Sequence, residues 1–300
     1  MKWLKDETGA VAAFLAIIMT LLLGFVALAI DGGLLYQKKA SLQRSLDAAV
    51  LAGIQELPSF PDEAREEAAY TAEVNGLDPS KLQTNFNLSN TRMEARATED
   101  QEFFFAKAIG FHSASVAARA AAELNPLTSG KGAVPLGVEY TTNLAFGTQV
   151  RLKVGDSTVG NFGALALTGP GARNYETDLK EGFLQYLSVG AILNTETGNM
   201  AGPTERAVNY RRSLCPFHGT ATYQDYPSDC PNIVLVPVYK AVSIQSNQIK
   251  QVEVVGFASF FLEGMNSSDE VVGRFIQFVH EGATSPVQAN YGTYGAKLAQ

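Results

Sequence analysis

Basic charge, histidine and cysteine are all scarce in this sequence, and each scarcity closes off a class of function. The chain of 300 residues carries 23 Lys and Arg against 30 Asp and Glu, a net charge of −7, with a sequence pI near 5.1. Such a balance gives no general attraction to nucleic acid or anionic lipid, and no nucleic-acid partner is expected. The three histidines, His112, His218 and His280, are scattered along the chain. No G-x-S-x-G elbow, phosphate-binding loop or H-E-x-x-H pair occurs. The expectation is a non-enzymatic protein with no catalytic residues, no cofactor and no metal.

Only two cysteines are present, Cys215 and Cys230, flanking a loop rich in Pro, Gly, Tyr and Asp. In an extracytoplasmic domain two cysteines this close pair with each other, and closing such a loop stabilises by roughly 3 kcal/mol in the chain-entropy model. A metal site adding His218 has three ligands and no second pair, so the disulfide is the favoured reading.

What the chain does have is a long apolar run. Residues 10–30 hold no charge and include Phe14, Ile17, Ile18, Leu21, Leu22, Leu23, Phe25 and Val26. About twenty residues at about 1.5 Å each cross a bilayer as a helix. Ala27-Leu28-Ala29 has the small-x-small form of a signal-peptide site, but the run exceeds a secretory core, and a retained anchor is favoured. Lys2 and Lys5 before the span and Lys38, Lys39 and Arg44 after it leave the positive-inside count undecided; the cysteine pair favours an extracytoplasmic body. From Asp31 the pattern turns amphipathic. Leu35, Leu42, Leu46, Ala49, Gly53 and Leu57 recur at steps of three, four and seven, and Pro58 ends the helix. Gly32-Gly33 is a candidate hinge.

The rest reads as an α+β protein: the long transmembrane-plus-amphipathic helix (1–57), a small αββαβ domain (58–125) and a β-rich α+β domain (126–300). Residues 59–76 predict a helix with acidic first turns, 82–98 a hairpin turning at Ser89-Asn90, and 102–109 a helix whose Phe103, Phe104 and Phe105 fill a core. Residues 113–124 read as a strand, with helix competing, and 125–134 as a linker. Strands are expected at 149–154, 161–167, 189–193, 233–238, 251–262 and 271–280, and helices at 172–187 and 204–214. The last twenty residues look loosely held. Asn161-Phe162-Gly163-Ala164 and Thr195-Glu196-Thr197-Gly198-Asn199 read as turns. Nothing places any two of Glu176, Asp178, Glu181 and Glu196 together. Arg206, Arg211 and Arg212 with Tyr210 read as a solvated helix face.

Gly9-Ala10-Val11-Ala12 ahead of the apolar run, then Asp31-Gly32-Gly33, Leu42-Gln43 and the run Asp47-Ala48-Ala49-Val50-Leu51-Ala52-Gly53, form a connected pattern over the first sixty residues. It resembles the N-terminus of TadE/TadG-like proteins of Tad (Flp) pilus assembly. Residues 58–125 look like the small domain of TadG-like chains. Asn161-Phe162-Gly163-Ala164-Leu165, Gly169-Pro170-Gly171-Ala172, Gly198-Asn199-Met200 and Gly202-Pro203-Thr204 look like a C-terminal region of bacterial members.

The resemblance implies a single-pass component of the bacterial cytoplasmic membrane with its body outside, pseudopilin- or minor-pilin-like. Its partners would be the lipid bilayer and other pilus-assembly proteins, or copies of itself, through the N-terminal helix. Ala13, Ala16, Gly24 and Ala27 would pack against neighbouring helices, and 35–57 would hold the body clear of the bilayer. An alternative is a filament subunit whose apolar helix enters a filament core. A rival of another class is a surface binding module or hydrolase with Glu181 or Glu196 beside a histidine. Phe14 stands at the fifth position after Gly9, where prepilin-peptidase substrates carry Glu, so processing at Gly9 is not implied. No D-x-S-x-S metal triplet occurs.

Overall fold

A computed structural model describes residues 7–153, 162–196, 198–215, 220–245, 248–267 and 269–299. Lys2, Lys5, Val154, Asn161, Thr197 and His218, named above, lie outside them. The architecture is α+β. Helix α1 (Glu7–Gly53) is one continuous element. It runs through Gly32-Gly33, where an added Cβ would meet nothing within 4 Å, so neither glycine is required by packing. A short 3-10 turn and Pro58 follow, then α2 (Pro61–Val74) with its proline in the first turn.

The first sheet is built on β1 (Gln83–Phe86), β2 (Arg92–Glu102) and β3 (Ser113–Gly130). Asn90, at φ 52°, turns the β1–β2 hairpin. β3 settles the competition over residues 113–124 in favour of strand. Val116, Ala118, Ala120, Ala122 and Leu124 are buried at alternate positions, the period of a sheet rather than a helix. The many alanines have a reason: a sheet face paved with methyl groups lets a helix lie close. Leu42, Leu46, Ala49 and Val50 of α1 and Ile54 of the 3-10 turn fill that space, with Ala64, Ala68 and Ala72 of α2 and Met93 of β2 in the same core.

The second sheet takes β4 (Leu136–Glu139), β5 (Gln149–Lys153), β6 (Phe162–Ala166), β8 (Ile192–Thr195), β9 (Ile233–Gln245), β10 (Gln248–Met265) and β11 (Glu270–Ile276), while β7 (Leu187–Ser188) pairs with β3. Its order is β5-β11-β10-β8-β6-β4-β9. Because β9 pairs with both β4 and β10, five of these strands form a closed hydrogen-bonded circuit. Helices α3 (Ala172–Glu181) and α4 (Ala201–Leu214) pack on it through Tyr175, Leu179, Ala207 and Val208. β12 (Phe278–Val279), β13 (Gly282–Thr284) and β14 (Thr293–Ala299) return the chain to the first sheet.

Four expectations need correction. The segment read as a linker is largely strand: β3 continues through Asn125 and Pro126 to Gly130, pairing with β14 and β13. Residues 293–299 are not loose, since β14 fills the sheet and Thr293 and Tyr294 are buried. The Phe-rich helix is a single 3-10 turn (Ala106–Ile109), and Phe104 and Phe105 are 75% and 48% exposed rather than core. Three consecutive Phe cannot share one helical face, and methyl groups already fill the core. Helix α3 stops at Glu181 because Gly182, at φ 81°, turns the chain away; a Cβ there would lie 2.7 Å from Gly132 O. The structure also joins Cys215 to Cys230, with Cα atoms 5.2 Å apart.

A Cβ on Gly53 would lie 2.5 Å from Ala64 O and 2.8 Å from Met93 Sδ. Gly53→Ala is expected to cost about 2 kcal/mol by overpacking, read as a lower urea midpoint with an unchanged m-value. Reduction of the Cys215–Cys230 bridge should lower stability by roughly 3 kcal/mol in the same titration.

Candidate functional site

The residues with a sequence-level claim on function lie mostly along α1, and the structure divides that helix sharply. From Val11 to Ile30 its side chains face outward. Phe14, Leu22, Phe25 and Leu28 are all exposed, and no residue of the most apolar stretch is buried in the fold. Ala13, Ala16 and Gly24 are exposed and Ala27 is partly so. From Asp31 onward one face of the helix packs against the body. Leu35 packs at the edge of the first core, and Leu42 and Leu46 are buried in it. The second half is therefore not a stalk holding the body clear of the bilayer. One face of it lies against the sheet while Tyr36 on the other face is exposed, and the body begins where the apolar run ends.

Polar contacts fix the helix to the sheet at three levels. Nearest the apolar run, Asp31 is 5% exposed and its carboxylate accepts backbone N–H bonds from Phe104 at 2.7 Å, Phe105 at 3.1 Å and Ala106 at 2.8 Å. A buried carboxylate is tolerated only with such donors. One turn and more along, Lys38 pairs with Glu99 at 2.5 Å and Lys81 joins the same carboxylate at 3.2 Å. The Lys38 ammonium beside it holds the Glu99 carboxyl below the usual range against the opposing effect of burial. Lys39 donates to Ala117 O. Further still, Gln43 donates to Arg119 O and Asp47 Oδ1, each at 2.8 Å, and Ser45 donates to Asn75 O at 2.7 Å. The motif residues Asp31, Gln43, Asp47 and Gly53 thus mark where the helix meets the body.

Residues 9–69 match the family model for Flp pilus-assembly TadE/G-like proteins. The N-terminal segment is thus similar to TadE/G-like proteins of Flp pilus assembly. It spans the apolar half of α1, the buried half and most of α2. Comparison with curated proteins and with solved structures gives no match to the chain. A TadE/G-like domain together with an apolar helix of membrane-crossing length fits a membrane-anchored pilus component.

The carboxylates of the second unit are spent on local structure. Asp178 accepts from Thr168 N at 3.0 Å and Thr168 Oγ1 at 2.7 Å. Glu196 accepts from Gly171 N at 2.9 Å. Glu176 pairs with Lys180 and Arg206; the Arg206 and Lys180 hydrogen bonds hold its carboxyl at about 2. The arginine set divides: Arg206 is the surface partner expected, while Arg211 is buried and donates to Leu179 O and Pro231 O. Glu181 borders a cleft of about 400 Å³ beside Asp178, Thr168 and Arg173, with no histidine in its lining. A second cleft, of about 480 Å³, lies between the end of α1, α2 and Phe278, and holds Glu56, Glu67 and the Tyr226 ring. No group of three or more His, Cys, Asp or Glu able to hold a metal occurs among the described residues.

His280 joins the two units. Part of the residue reaches solvent, but its ring packs edge-on to Phe278 at 4.9 Å and its Nε2 lies 3.1 Å from Ser259 Oγ, which is 2.8 Å from Thr293 Oγ1. Burial lowers the imidazole to about 4. The native protein keeps it neutral, whereas an unfolded chain protonates it near 6.5. Between those values the unfolded state binds the extra proton, so stability is full above about pH 6.5 and falls as pH drops toward about 4. Urea titrations should show this loss between about pH 7 and about pH 5, and His280→Gln should flatten it.

Proposed function

We propose that the chain is a non-enzymatic, membrane-anchored, extracytoplasmic component of Tad/Flp-type pilus assembly, of pseudopilin or minor-pilin kind. One observation carries the reading: the TadE/G-like match covers a continuous helix whose first half is exposed and apolar and whose second half packs one face into the core of a folded body. Residues 10–30 cross the bacterial cytoplasmic membrane once, and the disulfide-bearing body lies outside. Ala13, Ala16, Gly24 and Ala27 give a low-relief strip on which another apolar helix can approach closely. Residues 10–30 act as the anchor, the first sheet with α2 as the clamp on the rest of α1, and the second sheet as the outward-facing body. Force applied to the body passes into the membrane helix without a flexible joint, because Asp31, Lys38, Lys39 and Gln43 hold that helix to the sheet.

A filament subunit is the second reading, favoured by the same exposed strip: an apolar helix can exchange lipid for copies of itself. Deletion of the chain is expected to abolish Tad-type pili and adhesion, and restoring it to return both. Unchanged piliation would sink the proposal. Electron microscopy of material sheared from the surface separates the two readings, since only the filament subunit appears there as polymer.

A further inference from the structure

The exposed apolar side chains at the membrane end of the body form a group that the anchor does not account for. Phe104, Phe105, Ile109 and Phe111 are 75%, 48%, 76% and 64% exposed, within one short connection between β2 and β3. All four lie in a segment whose only charge, Lys107, is paired with Glu102 at 2.7 Å at its base. An exposed cluster of this kind marks an interaction surface. Its place in the fold says what covers it.

Asp31 is the first charged residue after the apolar run, so its carboxylate marks the boundary of the hydrocarbon that residues 10–30 span at about 1.5 Å per residue. The backbone nitrogens of Phe104, Phe105 and Ala106 lie within 2.7 to 3.1 Å of that carboxylate. The loop is therefore fixed at the level where the helix leaves lipid. The geometry points to this loop as a second, interfacial membrane contact: Phe104, Phe105, Ile109 and Phe111 insert at the headgroup–acyl boundary beside α1. Phe and other large apolar side chains bury at that zone in segments that lie in the interface, and an apolar cluster held there binds by area rather than by charge. With Lys107 already paired, no preference for anionic lipid is expected. Two contacts, one spanning and one interfacial, fix the tilt and rotation of the body on the bilayer, which a single helix leaves free.

The inference rests on the reading that residues 10–30 cross the bilayer, and the experiment separates the two. The full chain is placed in vesicles of zwitterionic lipid brominated on the upper acyl-chain carbons. The sole tryptophan, Trp3, is replaced by Phe, and one tryptophan is introduced in turn by Leu22→Trp, Phe104→Trp or Tyr70→Trp. Tyr70 is exposed on α2, whose C-terminal end meets α1 at Ser45, well beyond Asp31. Phe104→Trp is expected to lose about half its emission to the bromolipid and to shift to the blue, while Tyr70→Trp is unquenched. The quadruple change Phe104→Ser, Phe105→Ser, Ile109→Ser and Phe111→Ser should leave Leu22→Trp quenching and the body's urea midpoint in place while broadening the orientation of the body seen by oriented infrared dichroism.

Quenching at Leu22 without quenching at Phe104 overturns the inference and leaves the anchor reading standing. Absence of quenching at both overturns both. A Phe104→Trp emission that is blue-shifted, unquenched by bromolipid and dependent on protein concentration assigns the cluster to a second copy and overturns the lipid contact.

Discussion

The close contact between the C-terminal half of α1 and an alanine-faced sheet is the constraint on which the rest depends. Alternate positions of β2 and β3 carry Ala95, Ala97, Ala118, Ala120 and Ala122, so the helix settles on backbone and methyl groups while Leu42, Leu46, Val50 and Ile54 supply the bulk. Large residues on one partner and small ones on the other give an interdigitated core with little freedom to slide. The same proximity brings backbone carbonyls of β3 within reach of Lys39 and Gln43. It also fixes Gly53, where α1 meets α2. The TadE/G-like pattern is in large part a description of this contact.

The sequence makes the helix legible because its signals are local. An uncharged run has a length, and the recurrence of Leu35, Leu42, Leu46, Ala49 and Gly53 has a period; neither needs a distant partner to be recognised. The β1–β2 hairpin and the nearness of Cys215 to Cys230 are legible for the same reason. Pairing over long distances is not. Residues 125–130 hold Pro126 and Gly130, the composition of a linker, and become strand only because β14 and β13 arrive from 150 residues and more downstream to pair with them. Residues 293–299 look loose until that partner is supplied. Tertiary context overrides local preference at both places.

Phe103 to Phe105 show a different limit. Aromatic residues in a compact domain are ordinarily core, and composition alone assigns them there. What displaces them is a single side chain 73 residues earlier, Asp31, whose carboxylate captures the backbone of that segment and holds it at the edge of the body. No periodicity within 102–111 carries that information. In the second unit, Asp178, Glu196 and Arg211 look like possible chemistry in the sequence, yet each is engaged by backbone groups of neighbouring turns. Buried charge there shapes loops around the closed strand circuit.

The position of β14 bears on how the molecule comes into being. The sheet that grips α1 joins β2 and β3 to β14, far downstream, with the whole second sheet threaded between them. Such a sheet has high contact order, and its closure waits on a long-range pairing. Until that pairing forms, the grip on the helix is open along one edge. Only the arrival of residues 293–299 closes that edge. A rigid link between helix and body is thereby conditional on a strand that joins the sheet from far along the sequence.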